Sequence, residues 1–267
     1  MILGMSTKVL RDYSLEKTLD ILYDTGYQAV ELWVDDLLQT ELTSQELTKR
    51  LEQYGMQKSV HLLTEDLNIA SFNEGIRRES IYQQKEGIKR AAEIGAGAVT
   101  LHPGRKTAKT KTLEEAWKMQ LESIAELADT ARQERVRLCV EGMEKLAGEF
   151  VQTIDDLKRV LDYCKDSELA VTLDIAHLQT IGDPKQMISQ AACLNIGNVH
   201  ISQATSKKPH FPLFSEEGEI NFPDVFQELK QVYDGALIIE GYVSGQGMVI
   251  AQESMKWYRK IMEEVDG

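Results

Sequence analysis

The feature that most constrains the fold of this chain is a unit that occurs eight times along it: a short apolar or β-branched run, polar turn residues and an amphipathic stretch. The runs predicted as strands are Ile2–Met5, Ala29–Trp33, Lys58–Leu62, Ala98–His102, Arg137–Glu141, Ala170–Asp174, Asn198–Ser202 and Ala236–Glu240. Strands that alternate with helices form parallel sheets. Eight such units in 267 residues predict an α/β fold of one domain over residues 1–267, a closed (β/α)8 or TIM barrel.

Helix boundaries carry ordinary capping signals. Thr43 with Glu46, and Thr112 with Glu115, have the spacing of a capping box, in which each side chain accepts a hydrogen bond from a backbone amide of the first turn. Four glycines each follow a helical stretch and precede a strand, and they are predicted to end helices in the left-handed conformation: Gly26, Gly55, Gly95 and Gly235. These signals support the division of the chain into strand–helix units.

The composition is that of a globular protein with an acidic surface. Hydrophobic residues make up 42% of the chain and charged residues 27%, and no apolar stretch is long enough to span a membrane. The formal net charge of −13 disfavours nucleic acid as a partner, because an acidic surface repels a phosphate backbone. The N-terminus shows no secretory signal and the three cysteines have no metal-binding spacing, so we expect buried, reduced thiols and a cytoplasmic location.

The five histidines of the chain are distributed unevenly. His61, His102 and His200 lie at or beside the C-terminal ends of predicted strands, whereas His177 and His210 follow the sixth and seventh strands. None of the five lies in a predicted helix. Because active sites of (β/α)8 barrels are built at the C-terminal ends of the strands, this grouping favours a functional site over five unrelated packing or surface residues.

Four acidic residues occupy comparable positions, each placed after an apolar run at the end of a predicted strand: Glu31, Glu141, Asp174 and Glu240. A charge there is costly unless it is paired or binds a cation, so an ion pair with a loop lysine or arginine is the alternative for any one of them. Glu141, Asp174 and Glu240 together with His200 offer three carboxylates and one nitrogen. This set suits Mn²⁺, Mg²⁺ or Co²⁺ and is compatible with Zn²⁺, so the sequence predicts one divalent metal ion.

Two loops are predicted to lie on the same face of the barrel. The segment Arg105–Lys111 carries four basic residues and no acid, which suits a substrate phosphate or carboxylate, although a solvated loop has the same composition. The segment Gly241–Gly247 follows the eighth strand, where barrels often bind phosphate, and a flexible turn is the equal alternative.

The most specific motifs of the chain lie at these strand ends. They are Val60-His61, Leu67-Asn68-Ile69-Ala70-Ser71, Leu101-His102-Pro103-Gly104, Val140-Glu141, Leu173-Asp174-Ile175-Ala176-His177, Val199-His200-Ile201-Ser202 and Ile239-Glu240. In order and spacing, over nearly the whole chain, they resemble the xylose isomerase-like TIM barrel superfamily, which unites sugar-phosphate isomerases and epimerases with endonuclease IV-type enzymes. The Asp-x-x-His element of Asp174 and His177 is the sharpest part of the resemblance.

The isomerase and epimerase branch of that superfamily implies a metal-dependent enzyme acting on a sugar, sugar phosphate or related polyol ketone. In that branch, the residues that match Glu141, Asp174, His200 and Glu240 bind the metal, and the two glutamates act as acid and base on opposite faces of the substrate. His177 would contact a substrate oxygen. Further residues predicted to bind substrate are His61, His102, His210, Lys208 and Arg105. The implied partner is a small carbohydrate, and because related barrels commonly pair, a homodimer is the expected assembly.

The endonuclease IV branch, which holds three zinc ions and cleaves at abasic sites, is the main alternative. The residues that match its ligand set are His61, His102, Glu141, Asp174, His177, His200, His210 and Glu240. However, Lys208 stands where the nuclease pattern has an acidic ligand two residues before His210. The isomerase branch shows a departure as well, since Gln203 stands where many members have an acid. Dehydratase or hydrolase chemistry on similar substrates and non-catalytic binding are the remaining alternatives.

Overall fold

The computed structural model describes residues 1–165 and 167–267. Its centre is a closed barrel of parallel strands in sequence order, with the last strand paired to the first. The strands are β1 (Ile2–Ser6), β2 (Ala29–Trp33), β3 (Gln57–His61), β4 (Ala98–Leu101), β5 (Arg137–Glu141), β6 (Ala170–Asp174), β7 (Ile196–Ile201) and β8 (Ala236–Ile239). This topology confirms the predicted (β/α)8 barrel.

The helices of the described residues lie between the strands along the chain. They are α1 (Leu15–Thr25), α2 (Val34–Gln39), α3 (Ser44–Gln53), α4 (Glu74–Glu93), α5 (Leu113–Glu134), α6 (Ile154–Tyr163), α7 (Ile175–Ile181), α8 (Pro184–Gln190), α9 (Phe222–Val232) and α10 (Gly247–Asp266). Two short 3-10 segments, Thr7–Leu10 and Ala191–Cys193, follow β1 and α8. None of the helices in this part of the chain combines the length and apolarity that a membrane span requires.

The observed strands agree with the predicted ones to within two residues at each end. β4 and β8 each end one residue early, so His102 and Glu240 begin the loops that follow these strands. The prediction that no histidine lies in a helix was wrong, because His177 belongs to α7. A helix of seven residues is too short to show a helical period in the sequence.

The capping predictions are mostly confirmed. Both capping boxes, at Thr43 and Thr112, form. Three of the four predicted left-handed glycines have positive φ angles, but Gly235 does not. A Cβ atom at this position would lie 2.4 Å from the hydroxyl oxygen of Tyr233, so the close approach of that side chain, rather than a left-handed turn, explains the glycine.

The thiols are only partly as predicted. Cys139 and Cys164 are buried, and burial raises the pKa of Cys139 to about 12 and that of Cys164 to about 11. Cys193 is exposed, which contradicts the expectation for that residue. It lies in the 3-10 segment Ala191–Cys193, of which only Ala191 is buried, and three residues are too few for a pattern that would tell a buried position from an exposed one.

Alternation along the strands divides the barrel interior into layers, because side chains two residues apart on a strand point to the same face. A buried polar layer lies in the middle of the barrel and consists of Glu31, Ser59, Thr100, Thr172 and Asn198. Two positions further along the same strands, one layer nearer the C-terminal mouth, stand Trp33, His61, His102, Asp174 and His200. The polar layer therefore lies beneath Trp33 and beneath four residues that the sequence marked for function, His61, His102, Asp174 and His200.

Candidate metal centre

The strongest feature of the C-terminal mouth is the arrangement around Nδ1 of His200. This atom lies 3.1 Å from Oε1 of Glu141, 3.2 Å from Oε2 of Glu240 and 3.9 Å from Oδ2 of Asp174. The parallel pairing of Asp174 with His200 places two of the four groups side by side on β6 and β7. Ligand atoms of all four residues lie within 4.8 Å of one another, so a single cation can contact the whole set.

The spacing of Asp174 and His177 has a local explanation. Asp174 is the N-cap residue of α7, and its Oδ1 accepts a hydrogen bond of 2.8 Å from the backbone amide of His177. The cap uses only one carboxylate oxygen. Oδ2 is buried without a hydrogen-bond partner and is the oxygen that faces His200. The Asp-x-x-His motif thus combines a helix cap with a free ligand atom.

Glu31 does not end β2, as the sequence suggested, but lies in its middle, below the quartet. Its Oε1 lies 2.9 Å from Nε2 of His200, and its Oε2 accepts hydrogen bonds from Ser59 and from the amide of Asn198. The contact of Oε1 with Nε2 lacks hydrogen-bond geometry, and Nδ1 bonds to Oε1 of Glu141 at 3.1 Å. The negative charge of Glu31 would favour the proton on Nε2 once a cation takes the place of the proton on Nδ1. Glu31 therefore orients His200 from beneath rather than joining the quartet.

Buried oxygens without hydrogen-bond partners test whether the quartet fits a metal ion. Oε2 of Glu141, Oδ2 of Asp174 and Oε1 of Glu240 are all buried and have no hydrogen-bond donor. An unpaired buried carboxylate oxygen is costly unless a cation compensates it. Of these oxygens, Oδ2 of Asp174 faces His200, whereas Glu141 and Glu240 approach His200 through their other carboxylate oxygens. Three carboxylates and one imidazole match the oxygen-rich set that Mn²⁺, Mg²⁺ or Co²⁺ accepts and that Zn²⁺ also uses. The residues present therefore fit a divalent ion.

A second group of potential ligands lies on the other side of Glu141. Its Oε2 lies 2.9 Å from Nε2 of His102 and 3.5 Å from Nε2 of His61, without hydrogen-bond geometry. Nδ1 of His61 bonds to the carbonyl oxygen of Leu62 at 2.8 Å, so it carries the proton and Nε2 keeps its lone pair. The ring of His61 stacks on Trp33 at 4.2 Å with an interplanar angle of 2°, which fixes its orientation.

A third group brings His177 and His210 together with Asp174. Nε2 of His177 lies 3.0 Å from Nε2 of His210, and Nδ1 of His177 bonds to the carbonyl oxygen of Gly142 at 2.9 Å. His210 has a φ angle of 64°, a left-handed conformation that costs a non-glycine residue free energy and that clusters at functional sites. All five histidines therefore meet at one mouth of the barrel.

The charges of the cluster shift its pKa values in opposite directions. Burial lowers the pKa of His200 and of His177, but the neighbouring carboxylates outweigh burial and raise both, that of His177 to about 9. Burial raises the pKa of Glu141 and of Glu240, but the neighbouring histidines outweigh it and hold both low, that of Glu240 at about 2. The carboxylates thus require positive charge at this point, which protonated histidines or a divalent cation can supply.

A cavity of about 310 Å³ opens above these groups. Its wall includes residues that the sequence analysis did not single out: Lys8, Trp33, Thr64, Glu144 and Tyr242. Each lies at the end of a strand or within three residues after it. Their positions near the strand ends can be read from the sequence. Because none of them is a histidine or an acid at the end of a strand, position alone did not distinguish them from other loop residues.

Two cations that were predicted to bind substrate do not line this cavity. Lys208 is exposed, and its ammonium group lies 4.6 Å from the ring centre of Phe211. Arg105 is exposed and lines a smaller adjoining cavity, and the side chain of Asn68 holds its backbone through two hydrogen bonds of 2.9 and 3.0 Å. Gln203 is buried and bonds within its own loop, donating to the carbonyl oxygen of Ile220.

The chain is similar to known proteins in sequence and in fold. The sequence profile of the xylose isomerase-like TIM barrel family matches residues 19–261. An uncharacterized protein of Methanocaldococcus jannaschii is 25% identical over 277 residues, covering 98% of this chain and 90% of that protein. A probable endonuclease 4 of Aquifex aeolicus is 28% identical over 116 residues, covering 43% of this chain and 40% of that protein.

Solved structures superpose on nearly the whole chain. A D-tagatose 3-epimerase-like protein has a TM-score of 0.85 at 24% identity, covering 100% of this chain and 98% of that one. For an L-ribulose 3-epimerase the TM-score is 0.86 at 20% identity, covering 99% and 95%. The IolI protein, whose structure contains a bound zinc atom, has a TM-score of 0.80 at 18% identity, covering 99% and 98%. At these identities the likeness shows the barrel fold.

Proposed function

Because this chain belongs to the xylose isomerase-like TIM barrel family, we propose that it is a divalent-metal-dependent isomerase or epimerase of a sugar or related polyol ketone. The observation that carries the proposal is the convergence of Glu141, Asp174 and Glu240 on Nδ1 of His200, all within 3.9 Å. The barrel shared with an L-ribulose 3-epimerase and with a D-tagatose 3-epimerase-like protein supports the same reaction class.

The quartet would hold the metal, and the metal, when bound, polarises a substrate carbonyl and an adjacent hydroxyl and so acidifies the intervening C–H bond. Glu141 and Glu240 would then transfer the proton. Both have a buried oxygen with no hydrogen-bond partner, so each has a lone pair free to accept a proton. A positioned carboxylate contributes about 10²–10⁴-fold to such a step. Proton return to the opposite face of the same carbon gives epimerisation, and return to the neighbouring carbon gives aldose–ketose isomerisation.

His177 and Glu144 would position the substrate rather than transfer its proton. Nδ1 of His177 is fixed by the carbonyl oxygen of Gly142, and Nε2 contacts Nε2 of His210 at 3.0 Å, so a substrate oxygen that reaches Nε2 would take the place of that contact. Both residues line the cavity, and Oε2 of Glu144 lies 3.4 Å from Nε2 of His177. A substrate hydroxyl between them can accept from the protonated imidazolium ring of His177 and donate to the carboxylate of Glu144. His61, His102 and His210 line the same cavity and are proposed to complete the substrate or ligand contacts.

Deuterium incorporation tests the reaction class directly. The protein is stripped of metal with a chelator, reloaded with Mn²⁺ and incubated in D2O with a panel of ketoses, aldoses and their phosphates. We expect deuterium at the carbon next to the carbonyl of at least one substrate, with loss of exchange in Glu240→Gln. Arg137→Gln, at the opposite end of the barrel, is the matched control and should exchange normally. Absence of exchange across the panel with every divalent metal would overturn the proposal.

A second candidate function is phosphodiester cleavage at an abasic site. The specific observation in its favour is the presence of two further ligand groups, one of His61, His102 and Glu141 and one of Asp174, His177 and His210. The relationship to a probable endonuclease 4 covers 43% of the chain. Against it stand the net charge of −13 and Lys208 at the position of an acidic ligand.

Metal content and a nicking assay separate the two functions. The isomerase proposal expects one tightly held ion per chain and no cleavage of a duplex that contains an abasic site. Three zinc ions, together with nicking that disappears in Glu141→Ala, would replace the isomerase by the nuclease. The same variant separates the protein's own activity from a contaminating nuclease, because a contaminant would survive the substitution.

A further inference from the structure

Lys8 is a cation at the cavity wall that contacts an aromatic ring but forms no hydrogen bond or ion pair with the described residues. It lies in the 3-10 segment directly after β1, is only partly exposed and lines the cavity. Its Nζ lies 3.6 Å from the ring centre of Trp33. Within residues 1–165 and 167–267 it has neither a hydrogen bond nor a carboxylate oxygen within ion-pair distance. The other cavity-lining residues that can carry a charge are acids or histidines, apart from Tyr242. Burial lowers its pKa, while Glu65 and Glu240 oppose this effect.

Tyr242 supplies a second unpaired donor on the same wall. Its hydroxyl oxygen is buried and has no hydrogen-bond partner, and its ring lines the cavity. The guanidinium group of Arg11 lies 4.0 Å from the centre of that ring. Tyr242 comes two residues after Glu240, and β1 pairs with β8, so barrel closure brings Lys8 and Tyr242 to neighbouring strand ends. A buried hydroxyl without a partner costs about 1–3 kcal/mol, which a ligand oxygen can recover.

The remainder of the cavity wall limits what these two donors can bind. Glu144 and Glu240 are acidic, and His61, His102 and His177 lie against the carboxylate of Glu141. A neutral hydroxyl can also accept a hydrogen bond from an ammonium group, but an anionic oxygen gains in addition the attraction between opposite charges, which is stronger in a partly buried cavity than in water. Among the described residues, no lysine or arginine other than Lys8 lines this cavity. The attraction for an anion is therefore limited to the side of the cavity formed by β1 and β8.

We propose that Lys8 and Tyr242 form a subsite for an anionic group of the substrate, a carboxylate or a phosphate, so that the enzyme acts on an acidic sugar derivative. The claim that the enzyme converts an acidic sugar derivative rests on the proposed function. The claim that the cavity binds an anion does not. It differs from the sequence-based expectation in placing the anion at the wall of β1 and β8 instead of at Arg105 or Lys208, which lie outside the cavity.

Binding and exchange are measured on matched ligands that share a keto sugar skeleton: D-fructose, D-fructose 6-phosphate and 5-keto-D-gluconate. Calorimetric titration of the Mn²⁺-loaded protein should give at least about 10-fold tighter binding for one of the anions than for D-fructose. The phosphate and the carboxylate arms identify which anion the subsite prefers. Inorganic phosphate should compete with the anion and leave the weak binding of D-fructose unchanged.

Two variants and a control assign that preference to the subsite. Lys8→Met should remove the preference for the anion without changing the affinity for D-fructose. Tyr242→Phe should reduce it about 3–10-fold, and this variant keeps the test valid if Lys8→Met fails to fold. Lys58→Met, a lysine at the N-terminal mouth, is the matched control and should keep the full preference.

The outcomes separate this inference from the proposed function. Equal affinity for D-fructose and both anions in the native protein, or a preference that survives Lys8→Met and Tyr242→Phe, overturns the anion subsite even if deuterium exchange is observed. Anion-selective binding that requires Lys8, with no exchange for any substrate, supports the subsite and contradicts the isomerase. If exchange occurs, Lys8→Met should raise KM for the anionic substrate at least about 10-fold with a smaller change in kcat, because the subsite binds a group remote from the reacting carbon.

Discussion

The two mouths of the barrel contain cavities of nearly equal volume, about 310 Å³ at the C-terminal end and about 300 Å³ at the N-terminal end. The N-terminal cavity is lined by small residues such as Gly97 and Gly197 and by the charged side chains of Lys58, Arg137 and Asp234. The C-terminal cavity is lined by four histidines, Glu144 and Glu240. Every candidate metal-ligand group found among the described residues contains side chains from this end of the barrel.

The comparison shows that charge burial, not volume, distinguishes the two ends. At the N-terminal mouth close packing is the constraint, since a Cβ atom on Gly197 would lie 2.5 Å from Sγ of Cys139. At the C-terminal mouth Glu141, Asp174 and His200 are almost completely buried, and the two acids keep oxygens without hydrogen-bond partners. Unpaired buried carboxylates are costly to a fold, so these oxygens make the C-terminal mouth the candidate site for a cation.

Removing a carboxylate from the quartet is the largest expected effect and the most direct way to break the comparison. Glu141→Gln should abolish tight Mn²⁺ binding and lower kcat about 10²–10⁴-fold, because it removes both a metal ligand and a proton-transfer group. Metal content after dialysis and the rate of deuterium exchange measure the two losses separately. Arg137→Gln should change neither, and an equal loss in both variants would show that the two mouths do not differ as described.

Glu31→Gln tests whether the polar layer, through Glu31, orients His200 for metal binding at the C-terminal mouth. Glu31 approaches Nε2 of His200 at 2.9 Å, and its neutral amide replacement would no longer favour the proton on that nitrogen. We expect Mn²⁺ affinity to fall about 10–100-fold, the usual cost of losing an outer-shell carboxylate. Thr172→Val, in the same layer but bonded to Thr100 instead of His200, is the control. Unchanged metal affinity in Glu31→Gln, measured by competition with a chelator, would contradict this role.

Glu149 gives the smallest effect and tests whether the electrostatic contrast extends into the loop after β5. Burial, helped by the neighbouring Glu144, raises the pKa of Glu149 to about 7. Between its ordinary pKa near 4.5 and this value the folded protein holds a proton that the unfolded chain has released. The stability contributed by this group is therefore complete below its unfolded pKa and is lost as the pH rises towards 7.

The Glu149→Gln variant has no ionisable group at this position, so its stability should not fall as the pH rises towards 7. We expect its free energy of unfolding to exceed that of the native protein by about 1–2 kcal/mol above neutral pH, allowing for partial solvent screening, and to equal it at low pH. Urea unfolding across the pH range measures the difference. Glu115→Gln is a control of opposite sign, because the capping box lowers the pKa of Glu115 to about 2 and its loss should destabilise the protein at neutral pH. A pH-independent difference for Glu149→Gln would refute the assignment.

Much of the fold was predictable because the strand signal is local. A continuous run of apolar and β-branched residues indicates a strand that is buried on both faces of a parallel sheet. The regular recurrence of eight such runs predicts the barrel. Short elements such as α7 were missed, since seven residues do not establish a period. Gly235 was misread for a related reason: its neighbour Tyr233 occupies the space of a side chain, a contact that the sequence does not show.

The candidate site was predictable to the extent that its residues end strands. Asp174 and His200 were identified in this way, because parallel strands of a barrel present their C-terminal ends to one mouth. Lys8 and Tyr242 were not, since their importance depends on an unpaired ammonium group and an unpaired hydroxyl that only the side-chain packing reveals.

The sequence by itself determined the eight-unit rhythm, the alternation that points side chains inward and the placement of acids and histidines at strand ends, because each of these is a property of a few neighbouring residues. Only the tertiary structure decided which of them meet. Closure through the pairing of β1 with β8 brings Lys8 beside the loop that begins at Glu240, and the stagger of β2 places Glu31 beneath His200. Such contacts join residues far apart in the chain, so they depend on the geometry of the closed barrel and not on any local pattern.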